Sequence, residues 1–403
     1  MIGAVGGAST VASLTLLRNA EVYAPEARGR HDLLLGGGSI LALAPSLAAL
    51  PGELCREIDL EGARLIPGLI DAHVHMTGGG GESGPASRVP GLLLSAFTKG
   101  GVTTAVGLLG TDCTTRDVEG LVAAALGLRE QGLSAYCWTG GYPVPPRTLT
   151  GSVRSDIVFV DPILGVGELA ISDHRSSQPT YDELARIAAD AHVAGMMSGK
   201  AGVLHLHLGD GARGLSLVRR LLDETELPPR VFHPTHVNRR RALFDEALGL
   251  AKRGSTIDVT AFPVDEGEDA YAAPDAVARY LAAGLPRERL TVSSDGGGCL
   301  PTFDGDGRIV AMDVGDVGAV AATLRELLER GFPLADVLPM FTSNVASVLR
   351  LPRKGRVEAG ADADLVVLDA RHRVRDVFAR GRLLVERGVP VVRGAFEPSV
   401  SQA

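Results

Sequence analysis

The chain has 403 residues, 48 acidic side chains against 40 basic ones, and a formal net charge of −8. That acidic balance argues against nucleic acid as a main partner, and no apolar run reaches the ~18 residues of a membrane span. Apolar residues make up 45% of the chain, enough for a substantial core, which excludes a mostly disordered protein.

At ~150 residues per domain, this length suggests two or three domains, or one large α/β barrel with an addition. The first 17 residues are fairly apolar but hold no Lys or Arg, a poor match to a signal peptide. From Leu14 to about Ile58, short apolar runs such as "LTLLRNAEVY" and "HDLLLGGGSILAL" are separated by Gly and Pro and read as a small β unit. The middle alternates. Strand patterns centre near Ile70, Val106, Tyr136, Gly167, Leu206, Phe232, Asp258 and Val292. Their spacing generally leaves room for a helix and two loops. One helical pattern, "DVGAVAATLRELLERG", puts Val317, Val320, Leu324, Leu327 and Leu328 on one face. Eight such units predict an α/β fold, a (β/α)₈ TIM-like barrel over 65–349. A doubly wound sheet is the rival, but "HVHMTGGGGESG" is not the GxGxxG turn it would carry. After residue 350 the pattern returns to short strands, "ADLVVLD", "VRDVFARGRLLVERG" and "VPVVRGAFE". Residues 1–64 and 350–403 are therefore expected to build one small β-rich satellite, a β-sandwich, with a loose tail from Pro398 to Ala403.

The strand ends carry unusual side chains. His73 and His75 are two apart, so both face one side of a strand. Glu168 lies in the fourth strand, His207 and His236 end the fifth and sixth, and Asp295 follows the eighth. In a barrel these ends form the mouth, where active sites sit. Imidazole and carboxylate together suit Zn²⁺ and similar ions, at a site for one ion or two. Taken singly, each residue has an ordinary reading: Asp295 as a helix cap, Glu168 as a paired core carboxylate, each histidine as a hydrogen-bonded core group. Their joint placement favours a metal. His205 points the same way as His207 but one layer deeper, so a hydrogen-bonded core role is expected for it, and His233 reads alike. His31, His192 and His372 read as ordinary. Four scattered cysteines (Cys55, Cys113, Cys137, Cys299) form no CxxC and point to a reducing, cytoplasmic setting.

Pro67-Gly68 followed by Asp71-Ala72-His73-Val74-His75 resembles the first-strand signature of the amidohydrolase superfamily. More narrowly, "HVHMTGGGGESGP", "GVTTAVGLLGTD", "TGGYPVPPRTLTGSV", "AISDHRSSQP", "LGDGARGL", "PTHVNRR" and "SSDGGG" resemble, in order, the bacterial isoaspartyl dipeptidases. The resemblance implies a metal-dependent hydrolase that cleaves the isopeptide bond of β-aspartyl dipeptides with a metal-activated water. It implies His73 and His75 on a more buried metal, His207 and His236 on a second, and Asp295 on the first metal and the attacking water. Tyr142 would face the scissile carbonyl. Glu82 would bind the substrate's α-amino group, while Arg175, Arg239 and Thr111 would hold its carboxylates, near the backbone of Gly80. A homo-oligomer is also implied, for which the family suggests an octamer.

Two positions depart from that pattern. Glu168 stands where a lysine carboxylated by CO₂ is expected to bridge two metals. Its carboxyl carbon is three bonds closer to the backbone, roughly 3–4 Å, so Glu168 bridges only if strand or metals shift and otherwise binds one ion. Cys299 stands where a substrate-binding serine is expected, and a thiol is a weaker hydrogen-bond partner. The alternatives are a hydrolase of another amide, hydantoinase- or D-aminoacylase-like or acting on β-aspartyl-arginine, and an inert amidohydrolase-like binding protein.

Overall fold

A computed structural model describes residues 14–303 and 308–398. The residues before Leu14 and most of the expected tail, residues 399–403, lie outside that range. The N-terminal strands are β1 (Leu14–Tyr23), β2 (Ala27–Gly36), β3 (Ser39–Ala44), β4 (Cys55–Asp59) and β5 (Arg64–Pro67). The central strands are β6 (Leu69–Val74), β7 (Val102–Gly107), β8 (Ser134–Thr139), β9 (Ile163–Ser172), β10 (Leu204–Leu208), β11 (Phe232–Thr235), β12 (Ile257–Thr260) and β13 (Leu290–Ser293). A hairpin of β14 (Cys299–Phe303) and β15 (Ile309–Val314) follows. The last strands are β16 (Leu365–Leu368), β17 (Val374–Ala379), β18 (Arg382–Glu386) and β19 (Val389–Pro390).

Both ends of the chain meet in one nine-stranded sheet, in the order β19-β18-β17-β16-β5-β1-β2-β3, with β4 on β1. Leu65 and Leu365 are buried in its core with Leu17, Leu33, Leu35 and Phe378. The pairing of β5 with β16 ties sequence positions about 300 residues apart, from Leu365 opposite Pro67 to Leu368 opposite Arg64.

The central strands run parallel. β6 to β11 lie in sequence order in one six-stranded sheet, and β12 and β13 form their own parallel pair. All ten residues of β9 are buried, as expected for a sheet covered on both faces. The helix after β9, Tyr181–Ser198, starts at a capping box made by Thr180 and Glu183 and stops at Gly199, which takes the left-handed conformation (φ 71°) open to glycine. The helix predicted around Val320 spans Ala319–Glu329 and buries Val320, Leu324 and Leu327, with Val317 just before it also buried.

Among the described residues the backbone ladder therefore takes in six of the eight strands, rather than closing through all of them. Side chains stitch the two seams. Between β11 and β12, the Asn238 amide accepts from Thr260 N at 2.9 Å and donates to Thr260 O at 2.9 Å, replacing ladder bonds. Between β13 and β6, the Asp71 carboxylate accepts from Ser294 N at 3.2 Å and Ser294 Oγ at 2.5 Å. Burial pushes that carboxyl up to about 7, against the pull of those hydrogen bonds. No helix among the described residues is long and apolar enough to cross a membrane.

Candidate active site

The mouth of the central strands gathers the predicted residues. His73 sits in β6 and His75 one residue past it, its N–H held by Gly296 O at 2.8 Å. Glu168 lies within β9 and His207 within β10. His236 and Asp295 follow β11 and β13 in the left-handed region, at φ 59° and 55°. That region is uncommon outside glycine, though aspartate and histidine enter it more readily than most residues.

Glu168 is the centre of the cluster. Its Oε1 lies 3.6 Å from His75 Nε2. Its Oε2 lies 3.7 Å from His73 Nε2, 2.9 Å from His207 Nδ1 and 3.5 Å from His236 Nε2. The shorter side chain thus reaches both histidine pairs. Asp295 Oδ1 lies 3.4 Å from His73 Nε2 and 3.1 Å from His75 Nε2. Three overlapping groups could hold a metal ion: His73, His75 and Glu168; His73, His236 and Asp295; and Glu168, His207 and His236.

Elementary electrostatics makes the same point. His73 Nε2 and Asp295 Oδ1 are buried and have no hydrogen-bond partner, a costly state that a cation would relieve. Burial opposes charge on Glu168, but His73 and His207 outweigh it and hold the carboxyl well below its usual range. Asp295 behaves alike, with burial overcome by His73 and His75. Burial would lower His73, but Glu168 and Asp295 raise it to about 9. Burial and the Arg239 charge push His236 down to about 3. Two buried carboxylates surrounded by imidazoles form a donor set that fits a divalent ion such as Zn²⁺.

The other predicted residues line the same pocket: Gly80, Glu82, Thr111, Tyr142, Arg175, Arg239 and Cys299. Tyr142 is buried with its hydroxyl 3.0 Å and 3.1 Å from the two nitrogens of His207. Burial raises its phenol well above 10, so it stays a neutral O–H donor. Arg239 Nη2 lies 3.9 Å from Asp295. Arg175 Nη1 lies 3.5 Å from Glu82. The pocket wall needs small residues. A Cβ on Gly110 would stand 2.7 Å from the His75 ring, and one on Gly80 (φ 76°) would stand 2.4 Å from Ser87 O.

Asp173 was not singled out by sequence reasoning. It lies just past β9, accepts from His207 at 2.9 Å, and grips Arg175 at 3.0 Å (Nε) and 2.8 Å (Nη2). Its place in "SDHR", two residues before the arginine, is the signal that could have found it.

Burial and the nearby Glu82 carboxylate push the Cys299 thiol up to about 11. Less thiolate means slower alkylation. Iodoacetamide is expected to label Cys299 at pH 7.5 on the order of a few hundredfold more slowly than a free cysteine, with the rate rising about tenfold per pH unit to near pH 10. Peptide mass spectrometry checks this, and labelling as fast as free cysteine would refute it.

Fold and site together place a cluster that could hold a metal ion at the ends of parallel strands, and the chain belongs to the amidohydrolase family, whose profile matches residues 64–384. Within that family it stands with the β-aspartyl dipeptidases. It is 44% identical to the β-aspartyl dipeptidase of Fervidobacterium islandicum AW-1, solved in complex with β-Asp-Leu, over 94% of this chain and 98% of that one, with a TM-score of 0.88. Dihydropyrimidinase from Brevibacillus agri shares the fold at 17% identity, covering 95% of this chain and 97% of that one, with a TM-score of 0.68. Adenine deaminase of Klebsiella pneumoniae subsp. pneumoniae is 26% identical over 92% of this chain, which spans 59% of that relative's length.

Proposed function

We propose that this chain is a metal-dependent dipeptidase that hydrolyses the isopeptide bond of β-aspartyl dipeptides. The observation that carries the reading is convergence. Glu82, Arg175 and Arg239 open onto the same pocket as a cluster of four imidazoles and two carboxylates. A β-aspartyl dipeptide with free ends carries one amine and two carboxylates, and one Glu with two Arg match those charges.

His73, His75, Glu168, His207, His236 and Asp295 would hold the metal, one Zn²⁺ or two. A bound divalent ion supplies a Lewis acid that lowers the pKa of water from 15.7 to about 7. Asp295 takes the proton released from the attacking water and returns a proton to the leaving amine. Tyr142 donates its O–H to the oxyanion that develops from the scissile carbonyl. Glu82 binds the α-amino group. Asp173 grips one edge of the Arg175 fork and so orients the guanidinium toward the pocket that would take a substrate carboxylate. Thr111 and the backbone of Gly80 complete the cradle, and Cys299 lines it as a weak partner. The products are aspartate and a free amino acid.

We read the eight central strands as one closed (β/α)₈ barrel, with the satellite formed by 1–64 and 350–403. All four cysteines are unpaired, in support of a cytoplasmic location. The exposed Val310, Met312 and Val314 of β15 support a homo-oligomer, for which an octamer is the expectation.

The test is hydrolysis of β-Asp-Leu beside α-Asp-Leu by Zn²⁺-reconstituted protein. Cleavage of the β-linked peptide alone is expected. Cleavage of neither, with metal bound, would overturn the substrate assignment, and equal cleavage of both would overturn the isopeptide specificity.

A further inference from the structure

Beneath the cluster, a line of buried polar groups runs down through the strands to Asp258 in β12. His73 Nδ1 lies 2.8 Å from His205 Nε2, and His205 Nδ1 lies 3.0 Å from His233 Nδ1. His233 Nε2 lies 3.0 Å from Thr291 Oγ1. The Thr291 hydroxyl donates to Asp258 Oδ1 at 2.6 Å. Every member is fully or almost fully buried, and Trp138 stacks on His205 with ring centroids 5.4 Å apart.

The donor inventory gives this line one direction. Asp258 accepts from three hydroxyls, those of Thr291, Ser293 and Thr235. A hydroxyl has one proton, so Thr291, having donated to Asp258, can only accept from His233, whose Nε2 must carry the hydrogen. Each contact between two ring nitrogens needs one bare nitrogen, and buried imidazoles whose partners in this line are only rings and a hydroxyl are neutral, so each holds one proton. His233 Nδ1 is then an acceptor, His205 Nδ1 a donor and His205 Nε2 an acceptor. His73 therefore donates from Nδ1. Its Nε2, which faces Glu168 and Asp295, is the nitrogen left for a metal.

A second, shorter line ends on the same carboxylate. Thr235 donates to Asp258 Oδ2 at 2.8 Å. Its oxygen can then only accept from Thr260 Oγ1, 3.5 Å away. Thr260 in turn accepts from His236 Nδ1 at 2.8 Å, which leaves His236 Nε2 turned to Glu168.

We propose that Asp258 is a positioning residue that fixes the ring orientation and tautomer of His73, through Thr291, His233 and His205, and of His236, through Thr235 and Thr260. It acts through one histidine of each pair, so a single buried carboxylate prepares both halves of the cluster. The proposal rests on the metal-site reading above, because its purpose is to turn the Nε2 atoms of His73 and His236 toward a cation. Outer partners of metal-bound histidines set ring orientation and ligand basicity in this way.

Two measurements test it. The first is Zn²⁺ affinity by chelator competition. Thr291→Val, which keeps shape and removes the hydroxyl, is expected to weaken binding about 10- to 100-fold, while Thr291→Ser stays within about threefold of the parent. Thr104→Val makes the same change at a buried β7 threonine whose hydroxyl has no partner, and should leave affinity unchanged. Equal affinity in Thr291→Val and the parent, or equal loss in the Val and Ser variants, would overturn the proposal. The second needs no variant to fold: neutron diffraction of the D₂O-exchanged parent protein. Deuterons are expected on His233 Nε2, His205 Nδ1 and His73 Nδ1, and a deuteron on His205 Nε2 would overturn the chain. A parent protein that takes up no Zn²⁺ would instead refute the metal site, while the deuteron positions still decide the direction of the line.

Discussion

Asp295→Asn is expected to lower kcat for β-Asp-Leu by about 10³-fold, within the 10²–10⁴ range of general acid–base groups, with KM changed only a few-fold. The substitution keeps the side-chain shape and one carbonyl oxygen. It removes the negative charge and the capacity to carry a proton. The backbone should accept it, because Asp295 sits at φ 55° and asparagine is among the residues that tolerate the left-handed region. Room is not gained or lost, which matters because Gly298 approaches closely: a Cβ there would stand 2.3 Å from Asp295 Oδ1. Glu168 and the four histidines remain to hold metal, so the variant should retain at least one ion per chain after reconstitution. Steady-state kinetics with elemental analysis on the same sample check the result. A kcat within tenfold of the parent, at full metal content, would remove Asp295 from the proton-transfer role.

Much of the fold was legible because the relevant signals are local. The run "ILGVGELAIS" coincides with β9 end to end, because a continuous apolar stretch of that length is a strand covered on both faces. The histidines and carboxylates of the cluster were legible because they fall at strand ends, whereas Glu82, Tyr142, Arg175 and Arg239 were legible only through the family resemblance. The deep placement of His205 and His233 as hydrogen-bonded core groups agrees with their contacts to His73 and Thr291. Other features depend on distant partners. The seams of the central strands are held by Asp71 and Asn238, whose role emerges only when β13 and β12 arrive beside them. Asp173 received no role from the sequence, because its contact with His207 depends on the neighbouring strand. Asp258 was read only as the centre of a strand. A charged residue inside "TIDVTA" demands buried partners, and that demand was a usable signal. The hairpin of β14 and β15 was missed, although two runs around "DGDG" carry a turn signature.

Glu168→Gln is expected to weaken Zn²⁺ binding by roughly 10²- to 10⁴-fold, the equivalent of the roughly 3–5 kcal/mol lost when one partner of a buried charge set is removed. Activity at micromolar Zn²⁺ should fall with it. The reason is central placement: one carboxylate lies within 3.7 Å of a ring nitrogen of all four histidines. A neutral amide would turn an NH₂ toward at least some of those nitrogens and leave Asp295 as the cluster's remaining anion. The companion variant, Glu168→Lys with bicarbonate, asks whether a carboxylated lysine can take over. Such a group is longer by three bonds, roughly 3–4 Å, and the wall is close. A Cβ on Gly110 would stand 3.3 Å from Glu168 Oε1 and 2.7 Å from the His75 ring, so little space lies beyond the present carboxylate. Bicarbonate should therefore restore little activity to Glu168→Lys and add none to the parent. The parent should also keep its rate in CO₂-depleted buffer, since its carboxylate is fixed by the sequence. Bicarbonate-dependent recovery of metal-stripped parent protein, or a rescued Glu168→Lys, would show that the pocket accepts the longer group and that the glutamate is not what fits it.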